Sequence, residues 1–383
     1  MTVSASNQPR LGYRPALDGL RALAVVAVFA YHAHLPWARA GFLGVDLFLV
    51  LSGYLITALL LAERRREGRI DLRRFWARRA RRLLPAVLVL LAATAVAVPI
   101  LAPDQAHRIR TDLLSALGYV FNWRLVFGEQ SYFQSAGRPP ILQHLWSLAV
   151  EEQFYLLWPL LVFALSRRGL TALCAVLIGA TPLLRLLLRV SGLPELAGYE
   201  FTIARWDALA FGAVLAILVR EEAGRAWLRP RAPWIGGAAV LGLVAVMGVE
   251  RGFPERALLV QVAGQTLAAA LGASLIYFSV VPFRPSPSGA AASLRASLSA
   301  PWLRFLGKYS YAIYVLHFPI HILVSRHVAG FVNAVDGPAR LLRLALYVPS
   351  ISALSIVAAL ISWRVIEKPF LDLKERFAPR ETS

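Results

Sequence analysis

The sequence predicts an all-α, polytopic membrane protein with about ten transmembrane helices. Its 383 residues are 58% hydrophobic, with a mean hydropathy of +0.58, whereas a soluble globular protein is nearer about 45–50% apolar. Apolar runs long enough to cross a bilayer, about 20 residues each, recur along the chain. The charged residues are concentrated between these runs, as in loops beside membrane helices.

The apolar runs define ten predicted helices, which we treat as one membrane domain over residues 1–383. In order, they are residues 17–36, 42–62, 83–102, 144–165, 170–188, 203–219, 234–249, 257–280, 305–325 and 341–363. A short interfacial or re-entrant helix is predicted within the long connection 103–142. A linker rich in Pro, Ser and Ala is predicted at 282–300.

The basic residues predict the orientation of the chain. Segment 63–82 contains ten arginines, as many as the five loops assigned to the opposite side contain together. Those loops are 37–41, 103–142, 189–200, 251–256 and 326–340. Because basic loops remain on the cytoplasmic side, we expect a multi-pass protein of the inner (plasma) membrane. The N-terminal segment 1–15 and the tail from about 366 to 383 are both predicted to be cytoplasmic.

Composition also excludes several classes of protein. The net charge of +19 does not indicate nucleic-acid binding, because the charges flank membrane helices, where they meet membrane lipid. The single cysteine, Cys174, excludes an intrachain disulfide and a cysteine-based metal site. The polar N-terminus does not have the pattern of a signal peptide, so the first helix is expected to be retained.

The first predicted helix carries Asp18, Arg21 and His32 in an otherwise apolar pattern. Eleven residues separate Arg21 from His32, which places them within about 20° on the helix wheel and about 16 Å apart along the axis. A polar stripe on a membrane helix is costly unless it faces a protein interior or a water-filled cavity, which favours a functional site. The structural alternative is that Asp18 and Arg21 pair or snorkel at the interface while His32 bonds a backbone carbonyl.

Two further helices carry acidic residues within apolar runs. Asp46, near the start of the second helix, suits either a functional group or a partner for a nearby cation. On the fourth helix, His144, Ser147 and Glu151 are three and four residues apart and share a face. Glu152 points about 100° away from Glu151, so the two are not predicted to act as one paired-carboxylate site.

The arginine-rich segment contains a phased pair, Arg79 and Arg82, with Arg78 as a neighbouring donor. Guanidinium groups donate hydrogen bonds in a fixed fork that suits phosphates. At the mouth of a helix bundle, they would suit a phosphorylated donor such as coenzyme A. The structural alternative is a basic stripe in contact with lipid headgroups.

The ninth predicted helix contains Tyr311, Tyr314 and His317 at helical spacing. Taken alone, each tyrosine suits an amphipathic anchor at the membrane interface. The residues do not assign a role to His317.

Together these segments resemble the acyltransferase-3 family of integral membrane acyltransferases. The resemblance runs from about Tyr13 to Phe370 and depends on six ordered motifs. They are Arg21-x10-His32, GFLGVDLFLVLSGYLI, FWARRARRLLP, HLWSLAVEEQFYLLWP, GKYSYAIYVLHFP and SWRVIEKPF. The resemblance implies a membrane domain that takes an acyl group, commonly acetyl, from cytoplasmic acyl-coenzyme A. It implies transfer of that group to hydroxyls of extracytoplasmic glycans or other acceptors.

Two sequence motifs of the family match individual residues of this chain. The Arg/Lys-x10-His pattern corresponds to Arg21 and His32, and the Arg-x-x-Arg pattern to Arg79 and Arg82. The usual Phe-Tyr pair of that segment is Phe-Trp here, at 75–76. Many relatives carry a C-terminal SGNH hydrolase-like domain. That domain is expected to be absent, because this chain ends soon after its last predicted helix.

The predicted co-substrate is acyl-coenzyme A, in particular acetyl-coenzyme A, without a metal. Arg79, Arg82 and Arg78 are expected to bind its phosphates, while Arg21 meets a phosphate or the thioester. The predicted acceptor is a hydroxyl of a glycan, a glycolipid or a metabolite such as a macrolide.

His32 is predicted either to act as general base on the acceptor hydroxyl or to carry the acyl group itself. Glu151 or Asp46 is predicted to orient it, as carboxylates orient other catalytic histidines. The competing classes are a transporter or flippase, which would move its substrate without acylation, and a membrane scaffold without enzymatic activity.

Overall fold

Helices account for the regular structure of the described residues, as the sequence predicts. The computed structural model describes residues 12–128, 139–281, 289–328, 343–370 and 372, and these residues form fourteen α-helices. In chain order they are α1 (Pro15–His32), α2 (Gly44–Glu67), α3 (Leu72–Leu101), α4 (Ala106–Leu117), α5 (Phe121–Phe127), α6 (Trp146–Ala164), α7 (Arg167–Val190), α8 (Ala197–Glu200), α9 (Trp206–Leu218), α10 (Glu222–Val249), α11 (Gln265–Val280), α12 (Ala290–Leu298), α13 (Pro301–His327) and α14 (Val348–Ser362). Short 3-10 and π-helical turns connect or extend several of them.

Six helical segments of the described chain are long and apolar enough to cross a membrane. They are Gly41–Glu67, Leu72–Leu101, Arg167–Val190, Glu222–Val249, Val260–Val280 and Ala345–Phe370. In the most apolar 18-residue stretches of the segments that contain α7, α10 and α14, only 22%, 22% and 28% of the residues are buried. These helices therefore present apolar surface outward, where lipid surrounds a membrane protein. The prediction of an all-α, polytopic membrane protein is therefore confirmed.

The interior is formed by helices that approach each other closely. A β-carbon at Gly53 of α2 would lie 2.0 Å from the carbonyl oxygen of Leu209 in α9, and one at Gly212 would lie 2.0 Å from that of Val50. Likewise, a β-carbon at Gly307 of α13 would lie 1.9 Å from a backbone oxygen of α1. Only glycine permits these contacts, which bring α2 against α9 and α1 against α13.

The arginine-rich segment 63–82 is mostly helical and is not the loop that the sequence suggests. α2 continues into it, and α3 begins at Leu72, eleven residues before the predicted start. Gly68 turns the chain with a φ of +68°. The Asp71 carboxylate then caps α3 by accepting a hydrogen bond from the Arg74 backbone N–H at 2.9 Å. The phased arginines therefore lie on a helix that continues into the membrane.

Several predicted connections also contain helices. Segment 103–142 contains α4 and α5 rather than one short helix, the linker 282–300 contains α12, and the seventh predicted helix already begins at Glu222. Parts of these predictions lie outside the described residues: 1–11 of the N-terminal segment, 129–138, 282–288, 329–342, and 371 and 373–383 of the tail.

Candidate active site

Three histidines from distant parts of the chain meet at one end of the bundle. His32 ends α1, His144 lies in the turn before α6, and His317 lies within α13. Nδ1 of His32 lies 3.1 Å from Nε2 of His317, and the rings of His144 and His317 are 5.8 Å apart. His144 and His317 are buried, whereas His32 is half-buried. We call these three residues the histidine cluster.

A backbone carbonyl determines which ring nitrogens of the cluster carry protons. Nδ1 of His317 lies 2.7 Å from the carbonyl oxygen of Tyr314, and because a carbonyl only accepts, this Nδ1 donates. In the neutral ring, Nε2 of His317 then accepts from the Nδ1–H of His32. Neutral His32 is left with an unprotonated Nε2, which is the form that a general base or a nucleophile requires.

A cavity of about 840 Å³ opens beside this cluster and includes His32 and His144 in its wall. We call it the vestibule. Aromatic and polar side chains share the rest of its wall, among them Phe42, Trp146, Tyr199, Asp112, Arg124, Glu200 and Arg256. Such a combination of ring faces and hydrogen-bonding groups suits a ligand that carries hydroxyls.

One carboxyl group of the vestibule has a strongly altered acidity. Glu200 lies in α8, a single turn between α7 and α9, and is buried. Burial raises the pKa of Glu200 from 4.5 to about 8, although Gln143 and Arg256 oppose this shift. The folded protein therefore holds this proton more tightly than the unfolded chain does. Its contribution to the free energy of unfolding decreases as the pH rises from about 4.5 to about 8.

We expect the unfolding temperature of the detergent-solubilised protein to decrease across this pH window, and to decrease less in Glu200→Gln, which has no proton to lose. Tryptophan fluorescence during heating measures the transition. Glu222→Gln removes an exposed glutamate and should retain the wild-type pH dependence. An identical pH dependence in Glu200→Gln and the wild type would contradict the assignment.

A second cavity, of about 150 Å³, includes Arg21, Arg79 and Arg82 in its wall. We call it the arginine cavity. Arg82 is exposed and Arg79 is half-buried, so the basic wall extends inward from an open mouth. The Arg79 guanidinium lies 3.9 Å above the centre of the Tyr155 ring, and its Nε is buried without a hydrogen-bond partner among the described residues. A buried donor of this kind is costly unless a ligand or water supplies an acceptor.

Two carboxylates face the same arginines. Glu151 and Glu152 both line the arginine cavity, and Oε1 of Glu151 accepts hydrogen bonds from the hydroxyls of Ser52 and Tyr155. α2 and α6 thus hold Glu151 at the arginine cavity.

Tyr314 lies at the boundary between the two cavities. Together with Val45, it lines both of them. Its side chain is only 6% exposed, and its hydroxyl lies 2.5 Å from Oγ of Ser147. The sequence-based interpretation of Tyr314 as an interfacial anchor is therefore wrong, because α13 packs against α1 and places this side chain inside the bundle, in contact with Ser147 of α6.

The group that contacts His32 differs from the one that the sequence suggests. Asp46 is fully buried, and its Oδ1 accepts a hydrogen bond from Arg205 at 2.8 Å, while Glu151 is held in the arginine cavity. The imidazole of His317 contacts His32 instead of either carboxylate. Sequence reasoning missed this role because the two histidines are 285 residues apart.

Arg78 is the other predicted site residue that lies elsewhere. It is absent from the wall of the arginine cavity, and its Nη2 pairs with Oε2 of Glu63 at 2.9 Å. The other oxygen of Glu63 accepts a hydrogen bond from the Asp71 backbone N–H at 2.9 Å. Arg78 therefore links α3 to the end of α2, in contrast to the donor-binding role predicted for it.

The sequence did not reveal two fully buried ion pairs. Asp46 pairs with Arg205, and Asp207 pairs with Arg185 at 2.6 Å, with all four side chains inaccessible to solvent. These pairs join α2, α7 and α9. The sequence indicated only that Asp46 lies in an apolar run and suits a partner for a nearby cation, and that signal does not identify the partner.

We expect Asp46→Ala to lower the stability of the protein by about 3–5 kcal/mol, because it leaves Arg205 as an uncompensated buried charge. Cys174 is the only cysteine and is buried, so its reaction with a thiol-specific dye during heating reports unfolding. Asp46→Ala combined with Arg205→Met should recover part of the loss. Wild-type stability together with lost activity in Asp46→Ala would instead support the catalytic role predicted for Asp46.

The fold and the two cavities define a helical integral membrane protein with an arginine-lined site and a histidine-lined site. A family model described as an acyltransferase domain matches residues 14–364. The chain therefore belongs to the acyltransferase-3 family, as its motifs predict.

The most informative relatives have names that describe O-acetyl transfer. The "Peptidoglycan O-acetyltransferase OatA" of Listeria monocytogenes is 36% identical over 329 residues, which cover 82% of this chain and 50% of that protein. The "Putative peptidoglycan O-acetyltransferase YrhL" of Bacillus subtilis is 36% identical over 319 residues, or 81% of this chain and 49% of that protein. The chain thus spans about half the length of these curated relatives. No solved structure matches significantly.

Proposed function

We propose that the protein is a membrane O-acetyltransferase that moves an acetyl group from acetyl-coenzyme A to a hydroxyl of an extracytoplasmic, peptidoglycan-type glycan. Membership in the acyltransferase-3 family and similarity to OatA and YrhL support this reaction class. The observation that carries the proposal is the contact of Nδ1 of His32 with Nε2 of His317, which assigns the free lone pair of neutral His32 to Nε2, beside a vestibule that shares Tyr314 with the arginine cavity.

The arginine cavity is the proposed donor site. Arg82 at the mouth and Arg79 further inside can each donate to phosphate oxygens. Sites that enclose a drug-sized ligand measure about 300–1,000 Å³, so a cavity of about 150 Å³ suits the acetyl-thioester end of coenzyme A rather than the whole molecule. We place the nucleotide at the mouth, the diphosphate between Arg82 and Arg79, and Arg21 along the path of the thioester.

The vestibule is the proposed acceptor site. Nε2 of His32 takes the proton of the acceptor hydroxyl while the oxygen attacks the thioester carbonyl. The carbon–sulfur bond then breaks, and the thiolate takes the proton from the imidazolium, which yields an acetyl ester and free coenzyme A. A route through an acetyl-His32 intermediate uses the same lone pair. In both routes His317 is a positioning residue, because it holds Nδ1–H of His32.

The orientation of the chain follows from the same proposal. We propose that α1, α6, α9 and α13 cross the membrane together with the six longer segments, giving ten spans. The basic balance supports cytoplasmic termini. This orientation puts the mouth of the arginine cavity in the cytoplasm, where acetyl-coenzyme A is made, and the vestibule on the opposite side.

Release of coenzyme A from acetyl-coenzyme A by the purified, detergent-solubilised protein tests the proposed function. A soluble peptidoglycan fragment serves as acceptor, and mass spectrometry detects its acetyl ester. Thiol release that depends on this fragment, with formation of the ester, is the expected result. Absence of both thiol release and acetyl-coenzyme A binding would contradict the proposal and favour the transporter alternative.

We expect His317→Leu to reduce kcat by at least about tenfold, because it removes the acceptor that orients His32 and selects its tautomer. The KM for acetyl-coenzyme A should change little, since His317 does not line the arginine cavity. Steady-state thiol release measures both constants.

His317→Gln is the conservative variant, because its amide oxygen can accept from Nδ1–H of His32. It should retain more activity than His317→Leu. Equal activity in the two variants, at unchanged unfolding temperature, would show that the hydrogen bond to His32 has no part in the reaction.

A further inference from the structure

A groove with cationic and apolar walls lies between α13 and the end of α14. It has a volume of about 630 Å³. α13 contributes Phe305, Lys308 and Tyr309, and Arg364 comes from the π-helical turn Trp363–Glu367 that continues α14. Phe305 is 44% exposed, so the groove opens to the outside of the bundle.

Aromatic rings join the two sides of this groove and hold a cation. The rings of Tyr309 and Trp363 meet edge to face, with centroids 5.7 Å apart. Nζ of Lys308 lies 5.1 Å from the centroid of Tyr309 and 5.5 Å from that of Trp363, within the range of a cation–π interaction. Tyrosine and tryptophan beside a cation are typical of the interface between membrane and water.

The wall that α14 and the turn after it contribute changes from apolar to cationic along its length. Val357, Ile361, Arg364 and Lys368 succeed each other at intervals of four, three and four residues, and all line the groove. Val357 and Ile361 are 50% and 57% exposed. The wall is thus apolar at its deeper end and cationic at its outer end, the same order as the acyl chains and headgroup of a phospholipid.

The charge of the groove is unbalanced. Three cations, Lys308, Arg364 and Lys368, line it against one carboxylate, Asp372. Within the part of the chain that the structure describes, none of the three cations forms an ion pair with an acidic side chain. The groove therefore offers a net positive site to an anionic group.

The groove lies at the same end of the bundle as the arginine cavity but on a different face of α13. The hydroxyl of Tyr311 donates to the carbonyl oxygen of Leu83 at 2.8 Å, next to Arg82. Tyr311 lines the arginine cavity, whereas Lys308 and Tyr309 line the groove. The two sites are separate.

We propose that this groove binds one anionic glycerophospholipid. Its phosphate lies among Lys308, Arg364 and Lys368, and an acyl chain follows Val357 and Ile361. A soluble anion would satisfy the cations alone, whereas a lipid also covers the exposed apolar wall. The proposal does not depend on acetyl transfer, so binding measurements test it independently of the proposed function.

Native mass spectrometry of the full chain in a neutral detergent tests the proposal. The added lipids are phosphatidylglycerol and phosphatidylcholine with the same acyl chains, and inorganic phosphate is added in a third series. The groove variant combines Lys308→Gln, Arg364→Gln and Lys368→Gln. The matched control combines Arg73→Gln, Arg74→Gln and Arg81→Gln, which remove the same charge from exposed positions on α3.

We expect the wild type and the control to retain one phosphatidylglycerol, with at least tenfold preference over phosphatidylcholine, and the groove variant to lose at least tenfold in retention. Equal retention by the groove variant, or no preference for phosphatidylglycerol, would overturn the proposal. Displacement of the lipid by millimolar phosphate would also overturn it, because the site would then recognise a soluble anion. If the triple variant unfolds, Arg364→Gln alone should lose at least threefold.

Discussion

His32→Ala is expected to reduce acetyl transfer by about 10²- to 10⁴-fold, the contribution of a well-placed general base. The structure supports this size of effect, because His317 holds Nδ1–H of His32 and leaves Nε2 free. Release of the coenzyme A thiol, with and without the glycan acceptor, measures the loss. The affinity for acetyl-coenzyme A should be retained, since His32 does not line the arginine cavity.

His327→Ala is the matched control. It removes an exposed histidine near the end of α13 that lies outside the wall of the vestibule, and activity should remain at the wild-type level. Added imidazole should partly restore His32→Ala, because the truncation leaves space for a free base. Full activity of a correctly folded His32→Ala would contradict both the base and the acyl-carrier mechanisms.

Arg79→Gln is expected to raise the KM for acetyl-coenzyme A by about 10- to 150-fold, with a smaller change in kcat. The estimate follows from about 1.5–3 kcal/mol for a hydrogen bond to a charged group. Among the described residues, Nε of Arg79 is buried without a hydrogen-bond partner, and the Tyr155 ring already holds its guanidinium in place. Initial rates of thiol release over a range of acetyl-coenzyme A concentrations give both constants.

Two comparisons separate phosphate binding from a structural effect. Arg81→Gln removes the same charge from an exposed position on α3 and should leave the KM unchanged. Acetyl-pantetheine lacks the diphosphate, so the wild type and Arg79→Gln should use it with similar KM values. An equal loss with both substrates would mean that Arg79 supports the fold of the cavity rather than the phosphates.

The separation of the two cavities has a consequence for the reaction. Arg21 and His32 lie on one helix but line different cavities, with Tyr314 and Val45 at the boundary between them. An acetyl group that enters beside the arginines must pass Tyr314 to reach an acceptor in the vestibule. The hydrogen bond between the hydroxyls of Tyr314 and Ser147 keeps this ring at the boundary.

The sequence predicted most of the helices because apolar periodicity and length do not depend on distant contacts. It also placed Arg21 and His32 on one face of α1, and Arg79 and Arg82 on one face of α3, because spacing within a helix is a local property. The sequence placed the starts of α3 and α10 too late in the chain. Arginine-rich turns have good helix propensity, so these helices extend beyond their apolar segments.

By itself, the sequence determined the class of protein, its family, and which polar residues lie inside apolar helices. Only the tertiary structure decided their partners: His317 for His32, Arg205 for Asp46, and Glu63 for Arg78. The physical reason is that a buried polar group must find a complementary partner, while the identity of that partner depends on which helices pack together. That packing depends on close contacts such as Gly53 against Leu209, which no local pattern in the chain reveals.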